Sequence, residues 1–167
     1  EAVNIFETQA RALLDGGVDL FWVETMSDTE EVRAAVTGCR RVDDTMPIVA
    51  TMTFDTKGRT MMGIKPQQAI EALTDMGVVA LGANCGNGPA EIETVIEQMH
   101  GLKPDTILIA KSNAGLPHAE GDHFVYDATP EIMADYAQKV RGLGAQIVGA
   151  CCGSTPEHIR AIAQALQ

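Results

Sequence analysis

Short apolar runs alternate with longer amphipathic stretches along the whole chain, and this alternation restricts the fold more than any other feature of the sequence. Five runs have the length of a strand, and a stretch with the periodicity of a helix follows each one. The runs recur about every 30 residues, which is the size of a βαβ unit. No tight Asn-Gly hairpin joins one run to the next, so parallel strands are favoured. The sequence therefore predicts an α/β fold.

The predicted elements begin at recognisable residues. Ser27–Glu30 has the spacing of a capping box, and Thr129 and Thr155 each stand before a proline, as a helix N-cap does. Strands are predicted at residues 19–24, 47–53, 78–84, 106–110 and 145–150. Helices are predicted at residues 4–15, 27–41 and 66–77, and three more helices are predicted to begin at residues 89, 130 and 156. A long loop is predicted for residues 112–128.

The number of strands decides between two kinds of α/β fold. No glycine-rich phosphate loop follows the first strand, which argues against a dinucleotide-binding sheet. A complete (β/α)8 barrel has eight strands and about 250 residues. Five strands in 167 residues therefore predict the C-terminal five βα units of a TIM barrel. We expect residues 1–167 to form a single domain, a partial barrel from which the first strands are absent.

Charge and hydropathy exclude several classes of partner. The chain has 12 Lys and Arg against 23 Asp and Glu, a formal net charge of -11, which disfavours contact with nucleic-acid phosphates. No apolar run approaches the roughly 20 residues of a membrane span, and no signal-peptide pattern is visible. We therefore expect a cytoplasmic protein that binds neither nucleic acid nor membrane.

Three of the four cysteines lie where a predicted strand runs into a glycine-containing loop. Cys85 stands in Leu81–Gly86, and Cys151 and Cys152 stand together in Ile147–Gly153. In parallel α/β folds the carboxyl ends of strands carry the functional sites. Three thiols there suit zinc with one open position, and the alternative is three buried structural thiols. Cys39 falls within a predicted helix and is interpreted as structural.

Polar residues gather at the same strand ends. Glu24 is interpreted as a fixed carboxylate that binds a substrate ammonium, with a solvated charge as the alternative. Asn113 is assigned to substrate binding, with a turn former before Gly115 as the alternative. None of the four histidines ends a strand, and surface roles are favoured for His100, His118, His123 and His158.

Taken together, these segments resemble the homocysteine S-methyltransferase family. Gly82–Cys85 and Gly149–His158 are similar to its two zinc-cysteine signatures, and Val23–Met26 and Ser112–Pro117 are similar to further family segments. Phe54–Gly63 is most similar to the bacterial betaine-type members. The resemblance runs the whole length of the chain, in the family's order.

The resemblance implies a reaction and a ligand set. It implies a (β/α)8 barrel that holds zinc through Cys85, Cys151 and Cys152, with Glu24 at the amino group of homocysteine. The implied enzyme moves a methyl group to the zinc-bound thiolate of homocysteine and so makes methionine. Its partners would be homocysteine and a small-molecule methyl donor, with betaine expected and cobalamin or folate as the methyl carrier otherwise.

Two departures from the family pattern stand out. Family members usually have two glycines before the cysteine pair, where this chain has Gly149 and Ala150. The family's glycine-rich first strand is also absent. Two other functions therefore stay open: a three-cysteine metal-binding or thiol-redox module without methyl transfer, and an inactive fragment that needs the missing half-barrel. Unpaired sheet edges favour self-association into a homo-oligomer.

Overall fold

The computed structural model describes residues 1–167 and contains seven strands and six helices. The strands are β1 (Phe21–Met26), β2 (Ile48–Met52), β3 (Ala80–Cys85), β4 (Leu108–Ser112), β5 (Pro117–Glu120), β6 (His123–Tyr126) and β7 (Ala145–Ala150). The helices are α1 (Ala2–Asp15), α2 (Thr29–Val42), α3 (Pro66–Asp75), α4 (Pro89–Leu102), α5 (Pro130–Gly142) and α6 (Pro156–Ala165). No helix has the length and the apolar character needed to cross a membrane.

Five strands form one parallel sheet in the order β1-β2-β3-β4-β7. Each strand of this sheet is followed by a helix before the next one begins, so the predicted α/β arrangement is confirmed. Because the strands are parallel, all five carboxyl ends lie at one edge of the sheet. β1 and β7 each pair on one side only and are the edge strands.

The two faces of the sheet differ in what covers them. Alternate strand residues such as Ala50, Leu81 and Ala110 join the helices in one core cluster of 30 buried residues. On the opposite face, Val49, Ala80 and Ile109 form a separate small cluster to which no helix contributes. We call this second face the helix-free face; it also carries Trp22, Glu24, Thr51, Gly82, Asn84, Lys111 and Gly149, by register and alternation.

The long loop predicted for residues 112–128 is wrong in part. Two four-residue strands, β5 and β6, pair there as an antiparallel hairpin that turns at Gly121. Every β5 residue is exposed, and no β6 residue is buried. Such strands have no apolar alternation, which is the signal by which a strand is recognised in a sequence.

Helix starts follow the predicted signals, with one correction at α2. Thr129 caps α5 as predicted, because its hydroxyl accepts a hydrogen bond from the Ile132 amide. The cap of α2 is Asp28 and not Ser27, since the Asp28 carboxylate accepts from the Glu30 amide at 2.8 Å. The surface role predicted for His158 is wrong. His158 is buried, and its Nδ1 accepts a hydrogen bond from the backbone amide of Thr155 at 3.0 Å.

Candidate metal centre

The structure brings the three predicted cysteines together at the carboxyl edge of the sheet. The Sγ atoms of Cys85, Cys151 and Cys152 all lie within 4.8 Å of one another. The Sγ atoms of Cys85 and Cys151 are 2.8 Å apart, and none of the cysteines forms a disulfide. Cys85 ends β3, whereas the other two follow β7, so sulfurs from two strands meet across the end of β4.

Backbone turns explain how these sulfurs converge. Cys85 has a φ of 59°, a left-handed conformation that bends the chain as β3 ends. β7 ends at Ala150, so Cys151 and Cys152 lie beyond the strand and need not point to opposite faces. The Cys151 amide donates to the Ser112 carbonyl at 2.8 Å, which fixes this turn against the end of β4.

Asn84 connects the sulfurs to the end of β1. Its side chain is fully buried, and its Nδ2 donates to the Thr25 hydroxyl at 2.7 Å while its Oδ1 accepts from the Thr25 amide at 3.0 Å. The same Nδ2 lies 3.4 Å from the Cys85 sulfur and 3.9 Å from the Cys151 sulfur. An amide donor beside two sulfurs stabilises negative charge on them. In the sequence, its position next to Cys85 at a strand end was the only signal of this role.

Asn113 ties the two cysteine loops to each other. It is buried, its Nδ2 donates to the Gly86 carbonyl at 2.8 Å, and its Oδ1 accepts from the Cys152 amide at 2.9 Å. Both polar atoms of the side chain are therefore engaged with the backbone beside a cysteine. Its assignment to substrate binding stays a prediction.

The environment of the sulfurs disfavours free thiolates. Burial, followed by the neighbouring thiols of Cys151 and Cys152, raises the pKa of Cys85 to about 12. Without a cation this thiol keeps its proton at neutral pH, so a metal ion that binds here must displace it. Cys39 lies apart in the helix-side core, where burial raises its pKa, as expected for a structural thiol.

Glu24, the predicted ammonium ligand, is half-buried and has a charged partner. Its carboxylate forms an ion pair with the Nζ of Lys111, and the two side chains are 36% and 21% exposed. The same Nζ lies 4.9 Å from the ring centroid of Trp22, within cation–π range. Trp22 Nε1 in turn donates to the Thr51 hydroxyl at 3.4 Å. Sequence reasoning missed Lys111 because the predicted strand ended one residue before it.

Comparisons with known proteins agree with this architecture. The family model described as homocysteine S-methyltransferase matches residues 1–166. A methionine synthase of Mycobacterium tuberculosis is 35% identical over 170 residues, which cover 98% of this chain and 14% of that protein. The chain therefore spans a small part of this curated relative.

Solved structures of homocysteine methyltransferases also resemble this chain. The apo form of the homocysteine methyltransferase MmuM from Escherichia coli matches with a TM-score of 0.74 and 25% identity, over 98% of this chain and 57% of that one. The carboxyl transferase domain of Rhizobium etli pyruvate carboxylase, at 14% identity and a TM-score of 0.60, shares the fold alone. The predicted barrel-type fold class is thus confirmed, and the chain belongs to the homocysteine S-methyltransferase family.

Proposed function

We propose that the protein is a zinc-dependent S-methyltransferase that transfers a methyl group to the sulfur of homocysteine and produces methionine. The observation that carries the proposal is the convergence of three cysteine sulfurs at the carboxyl edge of the sheet in a chain of this family. The chain spans 14% and 57% of the two relatives described above, so the activity is proposed for the full-length protein.

The three sulfurs fit a zinc ion. In a tetrahedral site with Zn–S bonds of about 2.3 Å, neighbouring sulfurs are about 3.8 Å apart. The three Sγ atoms lie within 4.8 Å of one another, and the sulfurs of Cys85 and Cys151, at 2.8 Å, would have to move apart by about 1 Å, which side-chain rotation allows. Three protein ligands leave a fourth position free, as in catalytic zinc sites. Bound there, zinc would supply a Lewis acid that keeps the homocysteine sulfur deprotonated at neutral pH.

The chain's own residues have separable roles in this proposal. Cys85, Cys151 and Cys152 hold the metal, and the Asn84 amide stabilises negative charge on the sulfurs through its proximity to two of them. Glu24 binds the ammonium of homocysteine on the helix-free face. Together they fix the thiol sulfur and the amino group, so the sulfur meets the donor methyl in a defined orientation.

The methyl donor is proposed from the sequence alone. The resemblance of Phe54–Gly63 to betaine-type members favours betaine, and methyl-folate and methylcobalamin are the donors to test beside it. A cytoplasmic location belongs to the same proposal.

A thiol-redox module is the second candidate. The 2.8 Å contact between the Cys85 and Cys151 sulfurs favours it, because two thiols this close need little movement to form a bridge under an oxidant. Cobalt substitution separates the two functions. A homocysteine-dependent change in the cobalt spectrum supports the transferase, whereas reversible bridging without metal uptake supports the redox module.

The experiment that tests the proposal measures metal content and methionine formation in the full-length protein. Cys85→Ser, Cys151→Ser and Cys152→Ser should each lose zinc and methyl transfer with betaine, methyl-folate or methylcobalamin as donor. Cys39→Ser is the matched control, since Cys39 lies in the core outside the sulfur cluster. Full zinc retention by the Cys152 variant would contradict the proposed ligand set.

A further inference from the structure

A second charge of opposite sign lies beside the proposed ammonium ligand, and the proposed reaction leaves it unexplained. The Lys111 Nζ pairs with the Glu24 carboxylate and lies over the Trp22 ring. Lys111 is the less exposed member of the pair, at 21% of its side chain. A half-buried cation on a face that no helix covers, and that carries the predicted substrate residue, calls for a functional explanation.

Lys111 lies on the strand next to Asn84, the residue whose side chain contacts the sulfurs. In the register of the sheet, Lys111 is the partner of Asn84 on one side and of Gly149 on the other. Asn84 is the residue whose amide lies 3.4 Å and 3.9 Å from two of the sulfurs. Neighbouring strands are about 4.8 Å apart, so the lysine backbone lies one strand from a group that contacts the metal ligands.

The stem of Lys111 crosses the helix-free face toward β1. A Cβ built on Gly149 would lie 3.3 Å from Lys111 Cγ, so the absence of a side chain there makes room for the stem. Its ammonium then reaches Glu24 and Trp22 on the edge strand β1. The cation and the carboxylate are therefore presented together on the face that carries Asn84.

Charge balance decides what this pair can bind. If Glu24 exchanged Lys111 for a substrate ammonium and nothing else changed, the Lys111 cation would lose its partner in a half-buried position. Removing one member of a half-buried pair is unfavourable because the remaining charge loses its partner and is only partly rehydrated. A ligand that brings an anion together with its ammonium removes this cost, and an α-amino acid carries both on one carbon.

We propose that Lys111 binds the carboxylate of the amino-acid substrate while Glu24 binds its ammonium, so that the Glu24–Lys111 ion pair opens to accept a zwitterion. This inference rests on the proposed function and names the group that recognises the second charge of the substrate. The Trp22 ring holds the ammonium of Lys111 at the site by its cation–π contact. Lys111 thereby selects thiols that carry an α-carboxylate over simple aminothiols.

The test measures the dissociation constants of three thiols by calorimetry in the full-length, zinc-loaded protein. The ligands are homocysteine, mercaptobutanoate, which lacks the ammonium, and aminopropanethiol, which lacks the carboxylate. Lys111→Met should weaken homocysteine and mercaptobutanoate by roughly 10-fold or more, as for loss of a charge-assisted hydrogen bond. The same variant should bind aminopropanethiol as well as the wild type does, or better, because Glu24 is then free. Glu24→Gln should show the converse pattern.

Two further variants keep the experiment interpretable. Lys111→Arg retains the charge and should keep the preference for ligands with a carboxylate. Lys139→Met is the matched control, since Lys139 of α5 pairs with Glu93 of α4 at 3.6 Å, outside the helix-free face, and should change none of the three constants. Equal weakening of all three thiols by Lys111→Met, or no weakening of any, would overturn this inference alone. Failure of the wild type to bind any of them would overturn the proposed function as well.

Discussion

The side-chain oxygen of Asn113 accepts a hydrogen bond from the backbone amide of Cys152 at 2.9 Å. The same side chain donates to the carbonyl of Gly86, one residue after Cys85. One buried amide thus fixes the distance between the two loops that carry the proposed zinc ligands.

Loss of this amide should loosen the metal site. Groups that position metal ligands typically contribute 10- to 100-fold in metal affinity, so we expect Asn113→Ala to weaken zinc binding by roughly that factor. Competition with a chelator in the full-length protein measures it. Asn87→Ala is the control, because Asn87 lies in the same loop as Cys85 but is exposed, and its side chain donates to the Asp55 carbonyl and not to the second cysteine loop. Unchanged zinc affinity with weakened homocysteine binding would instead support the predicted substrate role of Asn113.

The loop after the cysteine pair should not tolerate a side chain at Gly153. This glycine has a φ of 80°, and a Cβ there would overlap the ring of Tyr126 in the hairpin. Gly153→Ala should therefore lower both thermal stability and zinc affinity. Gly121→Ala is the matched control, since Gly121 has a φ of 60° with nothing within 4 Å of the added Cβ. The control should show only the left-handed strain of about 1–2 kcal/mol, and equal losses in both variants would contradict the steric argument.

Tyr136 should make the protein sensitive to alkaline pH. Burial raises the pKa of Tyr136, and its hydroxyl has no hydrogen-bond partner, although the Ser112 backbone lies near enough to oppose the shift weakly. The folded state therefore favours the protonated phenol. This contribution to stability is complete below the unfolded pKa of about 10 and is lost as pH rises above it.

Tyr136→Phe removes both the unpaired hydroxyl and this titration. We expect the variant to match or exceed the wild-type melting temperature at pH 7 and to lose less stability above pH ~10. Thermal unfolding across that range is the measurement, with Tyr126→Phe as the control because Tyr126 in β6 is only half-buried, whereas Tyr136 is buried. A parallel decline of wild type and Tyr136→Phe would contradict the prediction.

The edges of the sheet predict the behaviour of the 167-residue chain by itself. β1 and β7 each leave one side unpaired, and Trp22 on the helix-free face is 37% exposed. Unpaired strand edges and exposed apolar groups favour association with other chains. We expect this chain to self-associate in sedimentation experiments and to show little methyl transfer. A monomer that unfolds cooperatively and makes methionine would contradict this prediction.

The sequence predicts the main sheet because that sheet is built from local patterns. β7 begins and ends at the predicted residues, since the glycine-containing turn before Ala145 and the cysteine pair after Ala150 bound its apolar run. The positions of the three cysteines follow from the same rule, because parallel strands place their carboxyl ends at one edge.

Local sequence patterns do not indicate which residues far apart in the chain contact each other. Glu24 and Lys111 are 87 residues apart, and nothing near either residue indicates the other as its partner. The exposed hairpin and the buried cap formed by His158 were likewise missed, since the first has no apolar alternation and the second depends on packing between α6 and the chain before α5.

X-ray absorption at the zinc edge of the full-length protein counts the sulfur ligands of the proposed metal centre. We predict three sulfur neighbours from Cys85, Cys151 and Cys152 at about 2.3 Å without substrate, and a fourth sulfur after homocysteine is added. A zinc environment that keeps the same number of sulfur neighbours with and without homocysteine would contradict this prediction.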